Sequence, residues 1–258
     1  YRLHGSLVKV PETSVITPEG SKNMIFPLLS ESQREMVNVD RELDFSYSIS
    51  GGARFRVNVY HEKGNIAAAL RYIPNTIKTI EELGLPPLLG NLTKLKQGLV
   101  LVTGPTGHGK STSLAAMIDR INEERSEHIV TIEDPIEFVY KPKKSLISQR
   151  ELHADTHSWG VALKSVLRED PNVVLIGEMR DYETIESALT IAETGHLVFA
   201  TLHTNSAAQT IDRIVDVFPE NQQGQIRSQL ALSLEAIVAQ RLMPSIDGRR
   251  TAVLEILL

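Results

Sequence analysis

The second half of the chain alternates short apolar segments with stretches in which apolar residues recur at helical spacing. The apolar segments predict buried strands over 98–103, 129–132, 173–176 and 197–202. The helical stripes that separate or follow them are Leu114/Met117/Ile118/Ile121, Trp159/Ala162/Leu163/Val166/Leu167, Ile185/Ala188/Leu189/Ala192, and, in a last helix, Ile226/Leu230/Leu234/Ile237. Strands that alternate with helices in this way predict an α/β fold with a parallel sheet and crossover helices.

The first part of the chain has a period of two instead. Leu43, Phe45, Tyr47 and Ile49 alternate with polar residues, and after Gly51-Gly52 the alternation resumes with Phe55, Val57 and Val59, which predicts a hairpin with one buried face. Around it we predict a strand over 1–10, a helix from the Ser30/Gln33 capping pair to about Val39, and a third strand that carries Arg71. These elements predict a small α+β domain over 1–74.

Between the two patterns the chain has the composition of a linker. Gly84, Pro86, Pro87 and Gly90 surround a short acidic segment, for which we predict a helix over 80–83. We therefore predict a linker over 75–91 and a second domain over 92–258.

A glycine-rich motif follows the first apolar strand of the second domain. The sequence from 104 to 111, GPTGHGKS, fits G-x-x-x-x-G-K-[ST] between a strand and a helix, where backbone N–H groups and the helix start form a phosphate cradle. Lys110 is predicted to reach the β and γ phosphates and Ser111 to bind magnesium, whereas the side chain of His108 is interpreted as incidental. The predicted nucleotide-binding residues are Gly104, Pro105, Thr106, Gly107, His108, Gly109, Lys110, Ser111 and Thr112.

Polar side chains also follow the other three predicted strands, at the end where open parallel sheets bind ligands. They are Glu133, Asp134 and Glu137 after the second strand, Glu178 after the third and His203 after the fourth. Glu178 is predicted to position the attacking water, although Gly177 precedes it where an Asp is more usual, and the division of roles among the four acids stays open. His203 is predicted to sense the γ-phosphate, with a structural buried histidine as the alternative. Asp181, by contrast, is predicted to cap the helix that follows it.

Composition narrows the class of protein. The chain has 258 residues, 41% of them hydrophobic, a net charge of -5 and no cysteine. The acidic balance disfavours a nucleic-acid partner, and the missing cysteines exclude disulfides and cysteine-bound metal sites. With neither a signal peptide nor a long apolar run we expect a cytosolic protein. Because residue 1 is Tyr and the chain stops in an apolar run, we expect both natural ends to lie further out.

With these residues assembled, the sequence resembles the PilT-like retraction ATPases of type IV pili, within the secretion ATPase superfamily. The resemblance rests on the phosphate loop and on ARFRVN from 53, TIEDPIE from 131, LREDPN from 167, GEMRD from 177, AETGHLVFATLHT from 192 and IDRIVDVFP from 211. The chain departs from the family at His108, where Ser is usual, and the family's C-terminal AIRNLIRE-like motif is missing from it.

The resemblance implies a PAS-like N-terminal domain followed by a RecA-like domain that binds ATP and magnesium, in a homo-hexamer. It also implies that Arg56 and Arg71, with Arg54 as a further candidate, reach the nucleotide from the first domain, whereas strand spacing alone favours a solvated row of charges. The resemblance also implies that the protein lies at the cytoplasmic face of the inner membrane. There it would associate with the membrane through a platform protein of the pilus rather than by inserting into the bilayer.

Three alternatives stay open at this point. An assembly-type pilus ATPase or a type II secretion ATPase would resemble this chain, although many of these carry a four-cysteine zinc segment that is missing here. A nucleotide-dependent scaffold would bind ATP without turnover, against which the four acids argue. A nucleic-acid motor is disfavoured because no basic patch with interleaved aromatics is present.

Overall fold

The computed structural model of the chain describes residues 1–3, 6–11, 13–49, 52–73, 76–246, 248 and 250–258. They form two compact units, Tyr1–Ile73 and Pro74–Leu258. Residues 74 and 75, where the first domain is predicted to end and the linker to begin, lie outside the described residues. The same holds for Gly51 in the predicted hairpin turn.

The first unit is built on a three-stranded antiparallel sheet in the order β3-β4-β5. Its elements are β1 (Arg2–Leu3), β2 (Ser6–Leu7), α1 (Pro18–Ile25), a 3₁₀ turn (Phe26–Leu28), α2 (Glu31–Asp40), β3 (Glu42–Ser48), β4 (Arg54–Glu62) and β5 (Asn65–Ile73). The predicted hairpin is confirmed as β3 and β4, with Phe45, Val57 and Val59 buried. The single strand predicted over 1–10 is wrong, because the described residues of this segment contain two short strands, β1 and β2, that pair antiparallel.

Side chains that bind free backbone N–H groups start both helices of this unit. At α2 the predicted capping box is present: Ser30 Oγ accepts from Gln33 N at 3.2 Å and Gln33 Oε1 accepts from Ser30 N at 2.9 Å. Helix α1 was not predicted, although Thr17 caps it through Gly20 N and Pro18 occupies its first turn. That Thr-Pro pair is a helix-start signal that sequence reading could have used.

The second unit contains a seven-stranded sheet in the order β12-β11-β6-β10-β9-β7-β8, parallel except for β12. Its strands are β6 (Gly98–Thr103), β7 (His128–Glu133), β8 (Leu146–Glu151), β9 (Val173–Ile176), β10 (Leu197–Leu202), β11 (Leu234–Pro244) and β12 (Arg250–Leu257). Its helices are α3 (Pro87–Leu92), α4 (Lys110–Glu124), α5 (Trp159–Val166), a 3₁₀ turn (Leu167–Glu169), α6 (Tyr182–Glu193), α7 (Ala207–Asp216) and α8 (Glu220–Ser233). Within the part of the chain that the structure describes, none of the helices has the length and apolar character needed to cross a bilayer.

The central strands are apolar throughout because both faces of the sheet are covered. Side chains alternate between faces along a strand, so Leu99 and Leu101 of β6 join a core with α5, α6, α7 and α8. Val100 and Val102 of the same strand point into a second core with α3 and α4. The predicted α/β architecture with a parallel sheet is therefore confirmed.

The last predicted helix is too long. Helix α8 ends at Ser233, and Leu234 and Ile237 lie in β11, where they pair with Leu99 and Leu101 of β6. The helical spacing continues past the true end because Leu234 and Ile237 are apolar for a different reason, namely their position in the sheet. Sequence reading also missed α7, the two edge strands β8 and β12, and β11 itself.

The segment predicted as a linker is part of the second unit. Ile80, Leu85 and Leu89 are buried in the same core as Val100 and α4, so this segment is fixed by apolar packing. Residues 80–83 form a turn rather than the predicted helix, and α3 begins at Pro87.

Replacing Ile80 with alanine tests this packing. Ile80 is only 1% exposed, so Ile80→Ala is expected to lower the free energy of unfolding of the second unit by about 2–5 kcal/mol. Lys78→Ala, in the same segment but exposed, is the matched control and should change it by less than about 0.5 kcal/mol. Urea unfolding checks both variants, and equal small effects would show that the segment is a loose linker after all.

Candidate functional site

The phosphate loop occupies residues 104–109, between the end of β6 and the start of α4. Gly104, Gly107 and Gly109 have positive φ angles of 139°, 79° and 83°, and Gly109 is the N-cap of α4. No acidic residue lies in the first turn of α4, so the positive end of the helix dipole faces the loop without compensation. The loop therefore has the backbone shape of an anion cradle.

Lys110 is the first residue of α4, and its side chain turns back over the loop. It is buried, and its Nζ donates hydrogen bonds to the carbonyls of Gly104 at 2.7 Å and Pro105 at 3.1 Å. Burial lowers the pKa of Lys110, while the carboxylates of Glu137 and Glu178 act in the opposite direction. The ammonium group is thus held inside the cradle, beside two of the predicted acids. Ser111 and Thr112 follow in the first turn of α4, both partly buried.

A chain of polar contacts joins the ends of β9 and β10 to the phosphate loop. Glu178 Oε2 lies 3.5 Å from His203 Nε2, and His203 Nδ1 lies 3.5 Å from the Thr106 hydroxyl. The side chain of Glu178 is only 13% exposed, and its other oxygen forms an ion pair with Arg180 Nη2 at 2.6 Å. The structure therefore brings together Glu178, His203 and the loop, as their strand-end positions predicted.

Arg180 is a partner that sequence reasoning left without a role. Its bond to Glu178 raises the pKa of Arg180, and its side chain is 72% exposed. The GEMRD motif places Arg180 two residues after Glu178. That spacing was the available signal.

Packing explains why residue 177 is a glycine rather than the more usual aspartate. A Cβ atom built at Gly177 would lie 3.2 Å from both Glu133 Cα and the Ile132 carbonyl oxygen. The Gly177 N–H also donates to that carbonyl at 2.8 Å. A side chain at this position would require β7 to shift by a few tenths of an ångström, so the close approach of β7 and β9 favours glycine here.

Glu133 differs from the other predicted acids because it is buried and fully hydrogen-bonded. Its carboxylate accepts from Thr131 Oγ1 at 2.7 Å, Glu137 N at 3.3 Å and Gln149 Nε2 at 3.3 Å. Burial raises the pKa of Glu133 to about 7, and these three hydrogen bonds oppose that rise. Asp134 and Glu137 are exposed on the turn that Glu133 holds.

Two predicted interpretations of single residues can now be compared with the structure. The side chain of His108 is not incidental, because its Nδ1 accepts the N–H of Leu242 in β11 at 3.0 Å. Its interpretation failed because β11 itself was not predicted. Asp181 was predicted to cap a helix, and its Oδ1 accepts from Thr184 N at the start of α6.

The first-unit arginines that the resemblance implies as nucleotide contacts lie on one face of its sheet. Arg56 of β4 and Arg71 of β5 are cross-strand neighbours. Arg56 Nε lies 3.8 Å from Asp44 Oδ1, with both side chains nearly half exposed. Arg54 Nη2 donates to Ser46 Oγ at 2.6 Å. Strand period alone predicts that Arg54 and Arg56 share a face of β4, and the pairing of β4 with β5 places Arg71 beside Arg56.

Comparisons with known proteins agree with this geometry. Residues 51–253 match the family model described as type II/IV secretion system protein. The chain is 52% identical, over 260 residues, to a protein of Neisseria gonorrhoeae named twitching motility protein, covering all of this chain and 69% of that protein. It is 51% identical, over 235 residues, to a Pseudomonas aeruginosa protein named type IV pilus retractation ATPase PilT, covering 91% of this chain and 68% of that protein.

A solved structure is similar over the whole chain. It is described as the crystal structure of the pilus retraction motor PilT and bound ADP, and it matches with a TM-score of 0.96 and 50% identity. The match covers 100% of this chain and 75% of that one. At this identity the likeness supports both the fold and the family.

The raised pKa of Glu133 predicts a specific dependence of stability on pH. The unfolded chain releases this proton near 4.5 and the folded protein near 7, so the contribution of Glu133 to stability is fully present below pH 4.5 and is lost as the pH rises to about 7. In Glu133→Gln this loss is absent. From pH 4 to pH 8, the free energy of unfolding of the variant relative to that of the wild type should therefore rise by on the order of 3 kcal/mol.

Urea unfolding of both proteins at the two pH values measures this difference. Glu137→Gln, an exposed acid of the same turn, is the matched control and should show a much smaller change. A wild-type to Glu133→Gln difference that stays constant across this pH range would contradict the assignment of a buried, protonated Glu133.

Proposed function

The chain belongs to the type II/IV secretion system protein family, and on this premise we propose that it is an ATP-hydrolysing motor that powers retraction of type IV pili. Support comes from the two relatives at 52% and 51% identity, which are named for twitching motility and for pilus retraction. The match to the ADP-bound structure supports a nucleotide as the ligand.

The observation that carries the proposal is the convergence of Lys110, Glu178 and His203 on one phosphate loop. The three residues come from α4 and from the ends of β9 and β10, and Thr106 of the loop lies within 3.5 Å of His203. A cradle for anions, a buried cation and an acid at its edge are the parts that phosphoryl transfer to water needs. The same convergence argues against a scaffold that binds ATP without turnover.

The residues of the loop fit a nucleoside triphosphate with magnesium. Lys110 would exchange its bonds to the Gly104 and Pro105 carbonyls for phosphate oxygens, and the backbone N–H groups of the loop would bind the β-phosphate. Among the described residues no group of three or more His, Asp or Glu could hold a metal alone. Magnesium bound by Ser111 and by the phosphates would neutralise charge on the transferred group. Such a site is typical of Mg²⁺, which usually takes few ligands from the protein and others from substrate phosphates.

Glu178 is the residue we assign to the attacking water. Its carboxylate is mostly buried and is oriented by Arg180 and His203 on either side, so its oxygens are fixed beside the loop. Since Glu133 is buried and holds the 134–137 turn, we assign it to positioning rather than to proton transfer. Asp134 and Glu137, exposed on that turn, are left to orient the water shell of the metal.

The first unit would complete the site with arginine. Arg56 and Arg71 share one face of its sheet, and the long 3.8 Å contact of Arg56 with Asp44 leaves its guanidinium available. A guanidinium that closes over the γ-phosphate stabilises the charge of the transition state. We propose that they do this within a homo-hexamer, working at the inner membrane against a platform protein of the pilus.

Replacing Glu178 tests the assignment of the water-positioning acid. Glu178→Gln keeps the shape of the side chain but removes the base, so ATP affinity should stay near that of the wild type. Turnover should fall at least ~10²-fold, the usual scale for losing a positioned general base. Steady-state phosphate release and ATP titration measure the two quantities.

Lys110→Ala is the matched variant for binding, and it should weaken ATP and abolish turnover together. If Glu178→Gln hydrolyses ATP normally while Glu133→Gln does not, the roles of the two acids must be exchanged.

A wild-type protein that binds ATP but never releases phosphate would favour the scaffold. A deletion strain distinguishes the retraction function from assembly and from secretion. If the protein powers retraction, this strain should still form pili but no longer retract them.

Substitution of Arg56 tests whether the first unit takes part in the chemistry. Arg56→Ala should lower turnover by about 10³-fold or more, as loss of an arginine finger does, with little change in ATP affinity or thermal stability. Arg56→Lys should not restore turnover, because an ammonium lacks the planar fork. Arg34→Ala, on α2 of the same unit, is the control. Normal turnover in both Arg56→Ala and Arg71→Ala would leave the three arginines as a solvated row.

A further inference from the structure

Strand β11 runs past the end of β6 and along the phosphate loop. The two strands pair in parallel up to Ala239 and Thr103, the last residue of β6. From Gln240 onward β11 has lost that neighbour, because the chain on that side has turned into the loop. The polar groups of Gln240 and Leu242 are bound by the loop instead.

Gln240 contacts the loop and helix α4 through both ends of its amide. Its Oε1 accepts from Ser113 Oγ at 2.7 Å, and its Nε2 donates to the His108 carbonyl at 2.8 Å. Gln240 is 2% exposed and Ser113 is 2% exposed, so water cannot replace either bond. One side chain therefore ties the last turn of the loop to the first turns of the helix.

The backbone of the loop lies directly against the same residue. A Cβ atom built at Gly104 would overlap the carbonyl oxygen of Gln240, and one built at Gly109 would lie 2.8 Å from its Nε2. The glycines at both ends of the loop thus pack on Gln240. In addition, the Leu242 N–H donates to His108 Nδ1 at 3.0 Å, which forms a second connection from β11 to the last turn of the loop.

We propose that Gln240 is a positioning residue that holds the phosphate loop in the shape that binds nucleotide, with His108 as a second tether to the same strand. Neither residue needs to touch the nucleotide for this. Gln240 fixes the His108 carbonyl on the outer side of the loop, so that the N–H groups of the following peptides stay turned inward. The inference rests on the proposed function, since it concerns binding of ATP by this loop.

Gln240→Met is the direct test, because methionine has a similar length but makes neither amide bond. In the folded variant, ATP and ADP should bind about tenfold more weakly or worse, the scale of buried polar groups left without partners. The KM for ATP should rise more than kcat falls. Calorimetric titration and steady-state turnover, at a temperature where circular dichroism shows the variant fully folded, measure these quantities.

Gln222→Met is the control, with the same chemical change on an exposed position of α8, and its affinity should equal that of the wild type. If folded Gln240→Met binds both nucleotides as the wild type does, even with a lower melting temperature, Gln240 is merely structural and the inference is overturned. Failure of the wild-type chain to bind ATP would instead refute the proposed function.

Should Gln240→Met not fold, Ser113→Ala carries the test, because it removes one bond to Gln240 and leaves β11 unchanged. It should weaken nucleotide binding about threefold or more, as loss of a single hydrogen bond does. Combining it with His108→Ala, which removes the second tether, should weaken binding further. Unchanged affinity in the double variant would overturn the inference.

Discussion

The parallel pairing of β6, β10, β9 and β7 is the constraint on which the site depends. Register places Leu202 beside Thr103 and Ile176 beside Ala200 and Ile132, so four neighbouring strands end at one edge of the sheet. Every polar group that follows a strand end is delivered to that edge. The phosphate loop, His203, Glu178 and the acids after β7 therefore lie in the same order as their strands.

Glycines let these strand ends approach each other closely. Gly104 lies against the backbone of β11, and Gly177 lies against the backbone of β7. A Cβ atom at Gly104 would overlap the Gln240 carbonyl oxygen, and one at Gly177 would require β7 to shift by a few tenths of an ångström. The glycine before Glu178 thus suits the close approach of β7 to the end of β9.

Local pattern was enough for the central part of the fold. The strands over 98–103, 173–176 and 197–202 were predicted to the residue, because a strand covered on both faces is apolar throughout. The capping box at Ser30 and the cap at Asp181 were also readable, since both bonds span three residues. The strand-end acids could be predicted as a group because parallel topology alone brings them together.

The sequence by itself thus determined the four central strands of the sheet, the phosphate loop and the edge at which the polar residues meet, because these follow from contacts close along the chain or from the rule that parallel strands end together. Only the tertiary structure decided that 234–244 is a strand, since pairing with β6 overrides a helical spacing that the residues also satisfy. The bonds from β11 to His108 span more than 130 residues. No local pattern encodes such a contact, and so Gln240 and His108 became visible only once β11 lay beside the loop.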